Sequence, residues 1–124
     1  MKKYFLLLTL FFFAIVSVKA QLTNTKWKAT IQADETLDLE FQFGKDTLNV
    51  INLGEASVIE VYTYTTANSV ITLHKVYGQS ECDTATTGQY KYAIKEHAIS
   101  FMIMEDACEQ RAAILNNSQW TKVE

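Results

Sequence analysis

Residues 37–43 read Leu-Asp-Leu-Glu-Phe-Gln-Phe, a strict alternation of apolar and polar side chains. Successive side chains of a β-strand point to opposite faces, so a period of two predicts a strand that is buried on one face only. Gly44-Lys45-Asp46 follows directly and has the composition of a turn. The stretch therefore predicts a strand that reverses into an antiparallel partner.

Similar patterns lie on both sides of this strand, and Trp27, Ala29 and Ile31 share one face of an earlier one. In all, eight strands are predicted, and short turns between neighbours favour antiparallel pairing. Eight such strands can close into an up-and-down barrel, which the short turns favour, although a two-sheet sandwich fits the same alternation. The later strands are predicted at residues 47–53, 57–65, 70–77, 89–94, 98–104 and 119–123.

One segment departs from the alternation. Asp106 at a helix N-cap and Glu109 three residues later resemble a capping box. Residues 110–115 read Gln-Arg-Ala-Ala-Ile-Leu, which favours helix, and Asn116-Asn117 can end it. The sequence therefore predicts a helix of two turns before the last strand.

Residues 1–20 have the order of features that is typical of a signal peptide. Two lysines precede an apolar run from Tyr4 to Val18, and Val18-Lys19-Ala20 offers a cleavage site. A membrane anchor is the alternative, but the run is shorter than the roughly 20 residues that a spanning helix needs. We expect cleavage, export to the periplasm or the extracellular medium, no stable membrane insertion afterwards, and a mature domain at residues 21–124.

The mature domain is acidic. Cleavage removes three of the 11 Lys and Arg residues and none of the 14 Asp and Glu residues, which leaves a net charge of −6. Such a domain repels phosphate backbones and anionic lipid, so neither nucleic acid nor a membrane surface is expected as a partner. The remaining chain has no proline and no linker or repeat, which predicts one domain with one core.

Cys82 and Cys108 are the only cysteines, and in an oxidising compartment such a pair is expected to bond. The strands at 89–94 and 98–104 are predicted to form a hairpin that turns at Lys95-Glu96 and brings both cysteines near its far end. The bridge would stabilise the fold by about 3.5 kcal/mol through chain entropy. A redox or metal role is not indicated, because no Cys-x-x-Cys motif or Cys/His set is present.

The C-terminal half resembles a known family. One string begins at Cys82 and continues with Gly88-x-Tyr90-x-Tyr92 and Asp106-x-Cys108-x-x-Arg111-x-x-x-Leu115-x-x-x-x-Trp120. This string is similar to one in a group of small secreted bacterial lipocalin-like (calycin-type) proteins. Trp27 resembles the tryptophan that packs beneath the floor of such barrels. The chain departs from full lipocalins in being shorter, in lacking their long helix, and in having Thr25-Lys26-Trp27 where Gly-x-Trp is usual. The resemblance implies the barrel fold and the binding of a small apolar ligand.

Arg111 is a candidate for closing one end of the barrel. A guanidinium stacked on an indole face is worth about 0.5–2 kcal/mol, and its donors can bind carbonyl oxygens at a barrel end. We therefore predict that Arg111 covers Trp27 or Trp120. An exposed arginine on the helix is the alternative.

The candidate ligand-binding residues are Tyr90, Tyr92, Phe41 and Phe101. The two tyrosines share one strand face, and the two phenylalanines belong to the bulkiest predicted inward rows. Side chains of this kind can line a cavity that orients a small apolar ligand. Eight-stranded barrels are just wide enough either to fill with side chains or to hold one small ligand, and rows this bulky favour filling.

Other polar side chains are expected at the surface. Tyr62 and Tyr64 have the parity opposite to Ile59 and Val61, so we expect them to face solvent. Four carboxylates near the cysteines are expected to form a solvated acidic rim rather than a calcium site. They are Glu81, Asp83, Glu105 and Asp106.

No enzyme is predicted, because the chain has no Gly-x-Ser-x-Gly elbow, no His-Glu-x-x-His and no phosphate-binding glycine loop. His74 and His97 lack a metal-ligand spacing, so neither a metal nor a cofactor is expected. Two functions from different classes remain. The family resemblance favours a binder of a small apolar ligand. The bulky inward rows favour a filled barrel whose loops contact a protein partner, unidentified by the sequence, as an interaction or inhibitor module of the cell envelope.

Overall fold

The computed structural model describes residues 21–124, so the predicted signal peptide at residues 1–20 lies outside the described residues. Within the described range, no helix is long and apolar enough to cross a membrane. The one helix found there, α1 (Glu109–Leu115), precedes the last strand. The strands are β1 (Thr25–Gln32), β2 (Thr36–Phe43), β3 (Thr47–Asn52), β4 (Ser57–Ala67), β5 (Val70–Gly78), β6 (Thr87–Lys95), β7 (Ala98–Asp106) and β8 (Ser118–Val123).

The eight strands form a closed antiparallel barrel in which each strand pairs with the next along the chain. β8 returns to β1 through a ladder that includes Lys26 opposite Val123 and Lys28 opposite Thr121. Both the up-and-down barrel and the short helix before the last strand are therefore confirmed, and the sandwich is not formed. Short turns make this topology possible: Asn68 and Ser69 between β4 and β5 have φ angles of 52° and 62°, as a tight hairpin turn requires.

Two local predictions are wrong by small shifts. The β6–β7 hairpin turns at Glu96-His97, because Lys95 still pairs with Ala98 and Glu96 takes the positive φ of 58°. Asp106 is not the N-cap of α1: it ends β7, and Cys108 occupies the cap without a side-chain hydrogen bond. The carboxylate of Asp106 is engaged elsewhere, inside the barrel.

A β-bulge in β4 reverses the predicted orientation of its tyrosines. The β3–β4 register shifts at Ile59, so that Ile59 and Glu60 both line the interior although they are neighbours in sequence. The inward row then continues with Tyr62 and Tyr64, which are 6% and 2% exposed. The prediction that these two tyrosines face solvent is therefore wrong, because a bulge changes the parity of every residue that follows it.

The two ends of the barrel are closed in different ways. At one end, tight turns and buried aromatic side chains complete the core; we name it the packed end. At the other end, longer connections and α1 surround a cavity; we name it the open end. The packed end bears residues 44–46, 68–69 and 96–97 and the buried Leu22, whereas the open end bears residues 33–35, 53–56 and 79–86 and α1.

Candidate ligand-binding site

A cavity of about 520 Å³ occupies the open end of the barrel. Ala33, Asp34 and Gln79 at its rim are exposed, whereas the strand residues deeper in are buried, so it opens to solvent. Its wall is mainly aliphatic, and α1 contributes to it from one side. The apolar lining comprises Leu37, Leu39, Phe41, Leu48, Val50, Ile59, Leu73, Ile114 and Leu115.

The bulky inward rows favoured a barrel that is filled throughout. The cavity shows that the open half is not filled. Phe41 borders the cavity and also stacks on Trp120, with ring centroids 3.8 Å apart and planes 18° apart. Phe101 packs edge-on against Phe41 at 6.2 Å. These large rings concentrate in the packed half, while mostly aliphatic side chains of the same rows line the open half. The large side chains of these rows therefore fill the packed half of the barrel but not the open half.

A buried ion pair lies beside the cavity. Arg111, on the inner face of α1, donates from Nε to Asp106 Oδ2 at 2.6 Å and from Nη2 to Asp106 Oδ1 at 2.7 Å. Their side chains are 2% and 0% exposed. Asp106 also accepts the hydroxyl of Tyr90 and the backbone N–H of Cys108. Both carboxylate oxygens are thus hydrogen-bonded, and Arg111 is fixed in place.

These contacts set the protonation of the pair. Burial alone would raise the pKa of Asp106, but hydrogen bonds from Arg111, Tyr90 and the Cys108 backbone outweigh it and lower the pKa below its usual value. Burial would lower the pKa of Arg111, but the bonds to Asp106 raise it. Burial and the Asp106 carboxylate raise the pKa of Tyr90 well above 10.0. At neutral pH the pair is therefore charged and Tyr90 is a neutral donor.

A second buried ion pair joins β4 and β5. Lys75 Nζ lies 3.7 Å from Glu60 Oε2, and the two side chains are 6% and 8% exposed. Lys75 donates to the backbone oxygen of Ser80 at 2.7 Å. Glu60 Oε1 accepts the hydroxyls of Ser80 and Tyr62. In the barrel order this pair lies two and three strands from β7, which bears Asp106.

Tyr62 connects the two pairs. Its hydroxyl lies 3.3 Å from Glu60 Oε1, and the guanidinium carbon of Arg111 lies 5.7 Å from its ring centroid. Burial and the Glu60 carboxylate raise the pKa of Tyr62 well above 10.0, which keeps the hydroxyl protonated. Glu60, Tyr62 and Arg111 all line the cavity and form one polar patch on its otherwise apolar wall.

Each ion pair includes one polar atom that is sealed from solvent and makes no hydrogen bond within the described residues. Among residues 21–124, neither Arg111 Nη1 nor Glu60 Oε2 has a hydrogen-bond partner, although both atoms are buried. Buried polar groups are almost always hydrogen-bonded in folded proteins. Nη1 can only donate and a carboxylate oxygen can only accept. The patch thus contains one donor and one acceptor without a hydrogen bond, and the acceptor lies 3.7 Å from Lys75 Nζ.

Two glycines provide the space that the ion pairs occupy. A side chain at Gly78 would collide with the Glu60 carboxylate, and its φ of 152° is one that glycine alone adopts readily. A Cβ at Gly88 would lie 2.5 Å from Asp106 Oδ2 and 2.8 Å from Arg111 Nε. The fold therefore depends on glycine where each pair approaches the backbone.

The residues predicted to bind a ligand divide between the cavity and the core. Phe41 lines the cavity. Tyr90 is fully buried and fixes Asp106, so it lies behind the polar patch. Tyr92 and Phe101, 6% and 3% exposed, belong to the core and are not among the residues lining the cavity. Ligand contact by these four residues stays a prediction, with Phe41 alone placed to make it directly.

The prediction that Arg111 covers a tryptophan is wrong. Trp27 and Trp120 are buried at the packed end, whereas α1 places Arg111 at the open end over Tyr62. The cation nearest the Trp27 ring is instead Lys122, whose Nζ lies 6.0 Å from the ring centroid. The pairing with Asp106 decides the difference, because a buried guanidinium requires a carboxylate more than it requires an aromatic face.

The disulfide between Cys82 and Cys108 is confirmed, with Cα atoms 5.4 Å apart. It ties the connection 79–86 to the start of α1, and both segments contribute to the cavity rim. Three of the four carboxylates expected in an acidic rim are exposed, but Asp106 is not, because it pairs with Arg111. Among residues 21–124, no three His, Cys, Asp or Glu side chains are grouped as a metal site requires.

Sequence reasoning missed Glu60 and Lys75 as interior residues. A signal was present in β5, where Ile71, Leu73 and Lys75 occupy consecutive inward positions and the last is charged. A lysine in an apolar row indicates a buried partner. That the partner is Glu60 follows only from the bulge in β4.

No protein-family model, curated protein or solved structure matches the chain. The lipocalin-like resemblance implies a closed eight-stranded meander. The structure establishes this architecture.

Proposed function

We propose that residues 21–124 form an exported lipocalin-like protein that binds a small, mainly apolar ligand in the open-end cavity. The observation that carries this proposal is the cavity of about 520 Å³ with an aliphatic wall and one polar patch. Ligand pockets typically measure about 300–1,000 Å³ and combine an apolar lining with a few placed polar groups. The cavity fits both criteria.

The walls favour binding energetically. Burial of apolar ligand surface contributes about 25 cal/mol per Å². Most wall residues lie on paired strands of the closed barrel, so little ordering is required when a ligand enters, and preorganisation of this kind favours affinity. The alternative function, a filled barrel acting as an interaction or inhibitor module, has less support because its open half is not filled.

Two observations support export. Residues 1–20 have the charge and hydropathy order of a signal peptide. The only two cysteines are bonded, and disulfides persist mainly in oxidising compartments. We therefore assign the mature domain to the periplasm or the extracellular medium, where a small binding protein can take up or carry its ligand.

The test is a fluorescence titration of residues 21–124 with the uncharged apolar dye N-phenyl-1-naphthylamine. We expect saturable binding that Ile59→Trp, on the cavity wall, weakens by about tenfold or more, a change worth about 1.4 kcal/mol. Val58→Trp is the matched control, because Val58 is the preceding residue but is 44% exposed on the outer face. Absence of dye binding, or equal effects of the two substitutions, would contradict the proposal.

A further inference from the structure

The polar patch is electrically balanced. Asp106 and Arg111 cancel each other, and so do Glu60 and Lys75. The other polar side chains of the cavity lining, those of Tyr62, Gln79, Ser80 and Gln110, are uncharged. The remaining charged residue of the lining, Asp34, is exposed at the rim, where water screens it. A ligand that reaches the patch therefore meets no net charge.

The free atoms of the patch are nevertheless of two kinds. Arg111 is 3% exposed and its donor Nη1 makes no hydrogen bond, whereas Glu60 is 6% exposed and its acceptor Oε2 makes only the ion pair with Lys75. Both groups contact Tyr62, which places them on the same part of the wall. A ligand group that both accepts and donates matches this part of the wall, where a guanidinium, a carboxylate and the Tyr62 hydroxyl lie together.

We propose, building on the binding function above, that the ligand carries an uncharged polar head that both accepts and donates hydrogen bonds, such as a primary amide or a hydroxyl. The head lies against the polar patch formed by Glu60, Tyr62 and Arg111, which line the cavity. Its apolar body lies along the aliphatic wall formed by residues such as Leu39 and Leu48.

Charged heads fit this patch poorly. A carboxylate would accept from Arg111, but Asp106 already neutralises that cation, and the ligand would place a second negative charge near Glu60. An ammonium would donate to Glu60, but Lys75 already balances that carboxylate. Either head would bring an uncompensated charge into a site that is largely removed from water, where the cost is highest.

The experiment is competition against bound N-phenyl-1-naphthylamine at neutral pH by three probes with the same ten-carbon chain. The probes are decanamide, decanoate and decylammonium. We expect decanamide to displace the dye at a concentration about tenfold lower than either charged probe, a difference of about 1.4 kcal/mol. Equal displacement by all three, or a preference for decanoate or decylammonium, would overturn the inference.

Charge substitutions make the test sharper. Glu60→Gln leaves Lys75 unbalanced, so the preference should move to decanoate, whereas Lys75→Met leaves Glu60 unbalanced and should move it to decylammonium. Glu105→Gln and Lys91→Met are matched controls, because both residues are exposed on the outside of the barrel. They should leave the order of the probes unchanged. Opposite shifts in the first two variants support the inference, and unchanged preferences in both overturn it.

The outcomes separate this inference from the binding function. If the dye does not bind, the proposed function fails and the inference fails with it. If the dye binds in the Ile59-sensitive cavity but the three probes compete equally, the function stands and only the uncharged head is excluded. Circular dichroism and thermal unfolding of each variant establish that it is folded before its preference is compared.

Discussion

The two ends of one small barrel bury different kinds of polar group. At the packed end, Trp27 and Trp120 are 1% and 0% exposed, and each indole N–H donates over 2.9 Å to a hydroxyl two residues away, on Thr25 and Ser118. At the open end, the buried polar groups include two ion pairs, Glu60 with Lys75 and Asp106 with Arg111. Arg111 Nη1 and Glu60 Oε2 make no hydrogen bond within residues 21–124, and the same holds for Thr66 Oγ1 and Tyr92 Oη towards the packed end.

This difference separates stability from binding within one domain. Large rings at the packed end bury apolar surface and make local hydrogen bonds, so that end needs no outside partner to be stable. The open end retains a cavity beside its two buried ion pairs, so a ligand can enter there without displacing packed side chains. Substitutions should therefore divide into those that reduce stability and those that mainly alter binding.

The largest effect is expected from Trp120→Ala at the packed end. It removes the ring that stacks on Phe41 and leaves a cavity, which should lower the free energy of unfolding by about 4–5 kcal/mol. Urea denaturation followed by circular dichroism measures the change. Met102→Ala, at a side chain that is 57% exposed, is the control and should change stability by less than about 0.5 kcal/mol. If Trp120→Ala does not fold, Trp120→Phe should still show an intermediate loss.

The next effect is expected from Arg111→Ala, which leaves the buried carboxylate of Asp106 without its cation. The loss should be about 3–4 kcal/mol at neutral pH. Because the folded pKa of Asp106 is below its unfolded value, the pair stabilises the protein fully above about pH 4 and loses this contribution as the pH falls through the folded pKa. Melting temperatures of the two proteins should therefore converge in acid. A difference that is independent of pH would refute this role of the pair.

A loss of about 3.5 kcal/mol, in the same range, is expected when Cys82→Ser and Cys108→Ser remove the disulfide. Its particular consequence concerns the open end, because the bridge holds the connection 79–86 against the start of α1. The double variant should bind the dye more weakly than Trp120→Phe does at the same fraction folded. If the two variants bind equally, the bridge stabilises the whole barrel without shaping the cavity.

Much of the fold was predictable because its determinants are local. The alternation in residues 37–43 fixes β2, and the turns around it are short, so neighbouring strands can only pair antiparallel. The helix α1 follows from a short run of helix-favouring residues that interrupts the alternation of the strands. The disulfide needed no geometry at all, since the chain has only two cysteines.

The polar patch was not predictable in the same way because its determinants are not local. Glu60 turns inward owing to a bulge that only the pairing of β3 with β4 reveals. Arg111 prefers Asp106 to a tryptophan because the end of β7 and the inner face of α1 meet in the folded chain. Gly78 and Gly88 marked both sites in the sequence, but a glycine does not tell which side chain takes its space.

The smallest effect is expected from Leu37→Ala on the cavity wall. Leu37 is only half-buried and already borders empty space, so its truncation should cost about 1 kcal/mol, mainly the lost transfer of its side chain from water. Ile99→Ala, at a fully buried side chain of the packed end, should cost about 3–4 kcal/mol because it creates a new cavity. Urea denaturation of the two variants compares the ends directly. Equal losses would mean that the open end is packed as tightly as the other, which would remove the physical basis for ligand binding there.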